Sequence, residues 1–344
     1  MTKDCVKMAV RPNIKIKKRE LLDAPGIFKH LIAGKREWLS KSLTLVESTK
    51  TEHRKIAKEL VQLATPFSRK SIRIGITGVP GVGKSTFIES FGLHAISKGK
   101  KVCVLAIDPS SEISKGSLLG DKTRMDQLSA HSDAYIRPSP TSGALGGVAR
   151  ATRESVLLCE AAGYDLILIE TVGVGQSETK VHSMVDVFLM LLLSNAGDEI
   201  QGIKRGIMEM ADILVVNKAD GNNSQNAKVA ANQLQQALHY FPLGKSGWTS
   251  TVDTMSALNN EGIDKIWTKC NQYIEHIKLN NFFEQNRKLQ AVNWFKQSLS
   301  EQLTQRIEQN DSFKKKLAET EKLVENGKLD PFIAADLLTD FYFK

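Results

Sequence analysis

Nine consecutive residues, Gly78-Val79-Pro80-Gly81-Val82-Gly83-Lys84-Ser85-Thr86, constrain this chain more than any other feature. They satisfy the pattern GxxxxGK[ST] and lie between the apolar, β-branched run Ile72 to Thr77 and the helix-periodic run Ser85 to Ser97. A strand, a glycine-rich turn and a helix are expected in that order. Small residues let backbone N–H groups close around phosphate oxygens, and a helix N-terminus adds its positive dipole end. In that setting Lys84 reaches toward β- and γ-phosphates and the Ser85 hydroxyl toward Mg²⁺.

The surrounding pattern predicts the fold class. Near-continuously apolar runs at Ile72 to Thr77, Val102 to Asp108, Tyr135 to Arg137, Leu166 to Glu170, Val187 to Leu193 and Ile213 to Asn217 read as strands covered on both faces. Helical patterns such as Val148 to Ala162 and Ile200 to Met210 separate most of them, giving an α/β domain with a mainly parallel sheet flanked by helices. Three regions follow: a helical N-terminal extension at 1–70 with a break at Gly34, the α/β domain at 71–276, and a helical C-terminal region at 277–344. The last carries apolar residues at three and four spacing through Phe282 to Gln309 and Phe313 to Asn326, and must pack on the core or on another subunit.

A second motif sets the base. Asn217-Lys218-Ala219-Asp220 ends the strand from Ile213 and matches NKxD. The Asp220 carboxylate can accept from guanine N1–H and N2–H₂, whereas adenine offers neither and would leave a buried acceptor unpaired. Asn217 is expected to buttress the loop and Lys218 to lay its stem along the base. Ser256-Ala257-Leu258, after the run Thr249 to Thr254, fits the companion loop whose backbone N–H meets guanine O6. Glu170-Thr171-Val172-Gly173 stands at a strand end where DxxG is usual, with Glu170 able to hold Mg²⁺ and the Gly173 N–H able to meet the γ-phosphate. Val174 follows where a water-orienting Gln is common, so slow intrinsic hydrolysis is predicted. Asp108 and Asp121, between the first two motifs, are candidate residues near the metal.

Charge placement excludes one class of partner. The net charge is +9, yet residues 1–70 hold 17 Lys/Arg against 7 Asp/Glu and the rest of the chain holds 30 against 31. Only 6% of residues are aromatic, so a basic, aromatic-studded core for nucleic acid is not expected. The four cysteines, Cys5, Cys103, Cys159 and Cys270, have no CxxC spacing and are expected as reduced thiols in a cytoplasmic protein. The longest apolar run, Val187 to Leu193, is far too short to span a membrane.

With these residues in place, the chain resembles the MeaB/ArgK family, the G-protein chaperones of adenosylcobalamin-dependent methylmalonyl-CoA mutase within the SIMIBI class of P-loop GTPases. The likeness extends beyond the nucleotide motifs to Asp108 to Ser111, Gly120 to Met125, Arg137 to Pro140 with Gly143 to Ala149, and Glu170 to Glu178. It also covers Gly197 to Asp212, Thr44 to Ser48 and Asp330 to Ala335. The resemblance implies a P-loop NTPase fold using GTP/GDP and Mg²⁺, with Ser85, Asp108, Asp121 and Glu170 around the metal. It further implies a third switch at Gly197 to Arg205, with Lys204 completing a catalytic set of Lys84, Asp108, Asp121 and Glu170 when a partner binds. A homodimer through the C-terminal arm is implied, as is a role in gating adenosylcobalamin loading and protection of methylmalonyl-CoA mutase or a related acyl-CoA mutase. No histidine stands in a DxHxxG context, so a cobalamin-binding motif in this chain is not expected.

A P-loop kinase or ATPase linked to basic amino-acid transport is the main alternative, and NKxD argues against ATP. A nickel-handling GTPase would need clustered ligands, which 7 scattered His and 4 Cys do not supply.

Overall fold

The computed structural model describes residues 23–68, 71–107, 125–138, 145–171, 177–194 and 205–343. Asp23 opens the first helix by accepting a hydrogen bond from the Gly26 N–H at 3.0 Å, with Pro25 in the first turn. Helices α1 (Ala24–Ile32), α2 (Arg36–Glu47) and α3 (Thr51–Ala64) follow. The expected break at Gly34 is present, and a second falls at residues 48–50, where Ser48 and Lys50 have extended backbones.

From Ile72 the chain builds a seven-stranded parallel sheet: β1 (Ile72–Gly78), β2 (Val102–Ile107), β3 (Ala134–Arg137), β4 (Leu166–Thr171), β5 (Val187–Leu193), β6 (Ile213–Asn217) and β7 (Thr251–Thr254). Their spatial order is β3-β2-β4-β1-β5-β6-β7. Between the strands run α4 (Lys84–Ser97), α5 (Asp126–Ala130), α6 (Leu145–Ala161), α7 (Ser177–His182), α8 (Arg205–Met210) and α9 (Ser224–Leu238). After β7 come α10 (Ile263–Leu279), α11 (Phe282–Glu308), α12 (Asp311–Glu325) and α13 (Pro331–Phe343). The helix expected from Ile200 begins at Arg205 among the described residues. Central β1 pairs with β4 on one side and β5 on the other, so Ile76 faces Glu170 and Leu189. Parallel strands bring their following loops to one edge, and the crossover at β1 opens the crevice there.

Alternate strand residues feed two cores, which is why the strands read as unbroken apolar runs. Ile74, Ile76, Leu168 and Leu189 pack with Phe87 and Phe91 of α4 and Ile266 and Ile274 of α10. Ile167, Ile169, Phe188 and Met190 pack on the opposite face with Leu43 and Leu60 of the N-terminal helices, Leu158 of α6 and Leu234 of α9. Each fully buried large side chain contributes about 1.5–3 kcal/mol. The N-terminal helices are also pinned by charge: Arg54 donates twice to Glu154, at 2.9 and 3.0 Å, and Arg137 pairs with Glu47.

Helix α11 begins as part of the globule. Arg287 donates from Nε and Nη2 to the Asp186 carboxylate at 2.8 and 2.6 Å, and from Nη2 to the Ser71 carbonyl at 2.6 Å. Glu160 joins this buried group, accepting from Arg73 at 3.0 Å and standing 3.7 Å from Arg287. Gln290 and Trp294 then donate to the carbonyls of Val185 and Ser183. Beyond Trp294 the helix turns outward, with Gln297 still accepting from the buried Arg153, and Phe295, Leu299 and Leu303 are 65%, 46% and 45% exposed. Among the described residues no helix is long and apolar enough to cross a membrane, and Cys103, Cys159 and Cys270 are buried free thiols.

Candidate functional site

The loop between β1 and α4 has the backbone its glycines require. Gly78 has φ +148°, and a Cβ there would lie 2.5 Å from the Leu191 carbonyl oxygen. Gly83 has φ +94°, and a Cβ there would lie 2.6 Å from Asn217 Nδ2. Helix α4 starts at Lys84, with Ser85 and Thr86 half-buried in its first turn. Lys84 Nζ donates to the carbonyls of Gly78 at 2.8 Å and Val79 at 3.2 Å, folding the side chain back over the loop. Burial lowers its pKa, while Glu170 and Glu178 act in the opposite direction. Ser85 Oγ donates to Glu170 Oε1 at 3.4 Å. The Glu170 side chain is buried at the end of β4, and on the opposite face of the strand the Thr171 hydroxyl donates to Thr77 at 3.0 Å.

Asn217, at the end of β6, holds two loops at once. Its Nδ2 donates to the Val82 carbonyl at 2.8 Å, and its Oδ1 accepts from the Ala257 N–H at 3.1 Å. The expected buttress is present, and it reaches the phosphate-side loop as well as the companion loop. The Ala257 N–H points inward to Asn217. Lys218 adopts φ +59°, and the next N–H, of Ala219, donates to the Met255 carbonyl at 3.0 Å. Ser256 Oγ donates to Asp220 Oδ2 at 2.6 Å and accepts from the Asn259 N–H at 3.2 Å, fixing the carboxylate against the loop after β7. Leu258 is 77% exposed at that loop's tip.

Lys84, Ser85, Glu170, Asn217, Lys218, Asp220, Ser256 and Ala257 therefore stand along one sheet edge. Asp108, Asp121, Gly173 and Lys204 lie outside the described residues. Four contributors were not singled out as site residues by the sequence. Glu178, buried in the first turn of α7, acts electrostatically on Lys84. Ser90 of α4 donates to the Ala257 carbonyl at 2.8 Å, and Ser194 and Asn223 hydrogen-bond beside Lys218. Only proximity across the fold identifies them.

Chemically, this edge offers a backbone cradle and an ammonium group for phosphate oxygens, and a fixed carboxylate for a ring carrying adjacent N–H donors. Among the described residues, no group of three or more His, Cys, Asp or Glu side chains could hold a metal ion. Ser85 and Glu170 nevertheless present two hard oxygen groups at the helix N-terminus, the donor type Mg²⁺ prefers. A cavity of about 640 Å³ lined by Asp186, Asp212 and Tyr273 lies at the other end of the strands, away from this cradle.

Known proteins resemble this chain over most of its length. The sequence model of the family described as "Methylmalonyl Co-A mutase-associated GTPase MeaB" matches residues 39–312. A Mycobacterium tuberculosis protein named as a GTPase is 47% identical over 315 residues, covering 92% of this chain and 94% of its own length. The Escherichia coli protein named "GTPase ArgK" is 42% identical over 313 residues, covering 91% of this chain and 95% of its own. The mouse "Methylmalonic aciduria type A homolog, mitochondrial" is 42% identical over 322 residues, covering 91% of this chain and 78% of its own. A crystal structure described as that of an LAO/AO transport system kinase superimposes with a TM-score of 0.76 at 35% identity, over 94% of this chain and 100% of that one.

Proposed function

The chain belongs to the MeaB family of GTPases, and from that membership we propose that it binds and slowly hydrolyses GTP to gate adenosylcobalamin loading and protection of methylmalonyl-CoA mutase or a related acyl-CoA mutase. The observation that carries the nucleotide assignment is Asn217, which ties the Val82 carbonyl and the Ala257 N–H together while the neighbouring Asp220 is held by Ser256. One residue thereby sets the distance between the phosphate cradle and the base reader. Asp220 accepts from the guanine N–H groups, and the backbone of Gly78 to Thr86 takes the phosphates. Lys84 exchanges its Gly78 and Val79 carbonyls for phosphate oxygens, an exchange between like hydrogen bonds that needs little rearrangement.

Ser85 and Glu170 would hold Mg²⁺, with Asp108 and Asp121 as further candidates, and the bound ion would neutralise charge on the β- and γ-phosphates. Gly173 would sense the γ-phosphate through its N–H. Val174 offers no group to orient water, so the uncatalysed step stays slow until Lys204 or a partner group supplies charge to the transition state. The mutase association comes from the family's description, and the mutase would be the partner that accelerates turnover.

We further propose a homodimer through the exposed stripe Phe295, Leu299 and Leu303 and the apolar residues of α13, including Phe332 and Ile333. Regions 1–70, 71–276 and 277–344 would then act as helical extension, G domain and dimerisation arm. Phosphoryl transfer from ATP in basic amino-acid transport, suggested by the name of the structurally similar kinase, would bring Asp220 an adenine ring that lacks the N1–H and N2–H₂ donor pair.

The test is GTP turnover by the purified protein alone and with an adenosylcobalamin-dependent mutase from the same cell. Slow release of phosphate that rises at least tenfold on adding the mutase supports the proposal. Unchanged turnover with the mutase bound or absent overturns the partner assignment.

A further inference from the structure

The base-reading loop depends on a strained residue. Lys218 lies between Asn217 and Asp220 with φ +59°, a left-handed conformation that strains any residue carrying a Cβ. The conformation turns the chain so that Asn217 faces back to Val82 while Asp220 faces Ser256. A rotation to ordinary negative φ at residue 218 would swing Asp220 away from the position Ser256 fixes. The peptide after Lys218 is held on both sides: the Ala219 N–H donates to the Met255 carbonyl at 3.0 Å, and the Lys218 carbonyl accepts a second bond.

The donor of that second bond lies outside the motif. Asn223 Nδ2 donates to the Lys218 carbonyl at 2.6 Å, and Asn223 Oδ1 accepts from Ser194 Oγ at 2.8 Å. A backbone carbonyl can only accept, so the amide orientation of Asn223 is determined, and with it the direction of the Ser194 bond. Asn223 is itself fixed by its N–H, which donates to the Asp220 carbonyl at 3.0 Å. Ser194 follows β5, so the relay braces the loop after β6 against the neighbouring strand end.

We propose that Asn223 and Ser194 are positioning residues for nucleotide recognition, holding Lys218 left-handed so that Asp220 meets the guanine edge. This rests on the assignment of Asp220 to guanine. Neither residue touches the nucleotide. Their loss is felt only where the base is read.

The experiment measures affinity for GDP by fluorescence of a labelled analogue, and for inorganic triphosphate by competition, in Asn223→Ala, Ser194→Ala, the double variant and Lys218→Gly. Asn223→Ala is expected to weaken GDP about tenfold and to leave triphosphate affinity within twofold. Ser194→Ala should show a smaller loss that vanishes in the Asn223→Ala background. In Lys218→Gly, where positive φ carries no strain, the Asn223→Ala penalty should shrink. GDP affinity within twofold of wild type in Asn223→Ala, or equal losses for GDP and triphosphate, would overturn the relay. Wild-type protein that binds ADP as tightly as GDP would instead overturn the guanine assignment, and the relay with it.

Discussion

Asn217 Nδ2 lies 2.8 Å from the carbonyl oxygen of Val82, a residue 135 positions earlier in the chain. That bond joins the two halves of the proposed nucleotide site, and its loss should not be selective. Asn217→Ala orphans the Val82 carbonyl and the Ala257 N–H, at about 1–3 kcal/mol for a buried polar group. GDP and inorganic triphosphate should weaken together, in contrast to Asn223→Ala, and calorimetric titration of both ligands checks this.

Arg287 should matter for stability and not for nucleotide. Its guanidinium and the Asp186 carboxylate are both almost wholly buried, so Arg287→Met leaves an uncompensated charge. The expected destabilisation is about 3–5 kcal/mol, read from urea unfolding. GDP affinity of the folded variant should be unchanged, because Asp186 precedes β5 at the strand end opposite the cradle.

Burial pushes the Asp212 carboxyl up to about 7, even though the Phe188 N–H and the Tyr273 hydroxyl both favour its ionised form. The unfolded carboxyl titrates near its ordinary 3.8. Between those values the folded state keeps a proton that the unfolded state has lost, so stability falls as pH rises, by about 1.4 kcal/mol per pH unit from this residue. The contribution is fully present below pH 4 and lost above 7. Unfolding free energies measured from pH 4.5 to 8 should show a fall in wild type that Asp212→Asn lacks.

The exposed stripe on α11 predicts the effect of charge. Leu299→Glu should convert a dimer to a monomer in light scattering while GDP affinity stays within twofold. Removing all residues from 282 onward should do more, because it deletes Arg287, Gln290 and Trp294 from their G-domain partners and lowers stability as well.

Local pattern made much of this molecule legible. The strand before Gly78, the helix from Lys84 and the unbroken apolar strands follow from short-range chemistry, and the all-parallel sheet follows from their alternation with helices. Asn217 as a buttress was readable because the motif's chemistry demands one. Its second partner, Ala257, was not, since it depends on how the loop after β7 folds back on β6. Asn223, Ser194 and Glu178 carry no spacing signal, as their partners lie on other elements. The same holds for Arg287, whose place in a helix of mostly exposed residues hides that it completes a buried ion group with Asp186, Glu160 and Arg73.

Base discrimination at Asp220 is the central function proposed for this chain. Dissociation constants for GDP, ADP and xanthosine diphosphate, measured by competition on wild type and Asp220→Asn, test it. Wild type should prefer GDP over ADP by about 10⁴, and Asp220→Asn should lose that preference and gain affinity for xanthosine diphosphate, whose 2-carbonyl accepts from an amide N–H. Comparable affinity of wild type for GDP and ADP would contradict it.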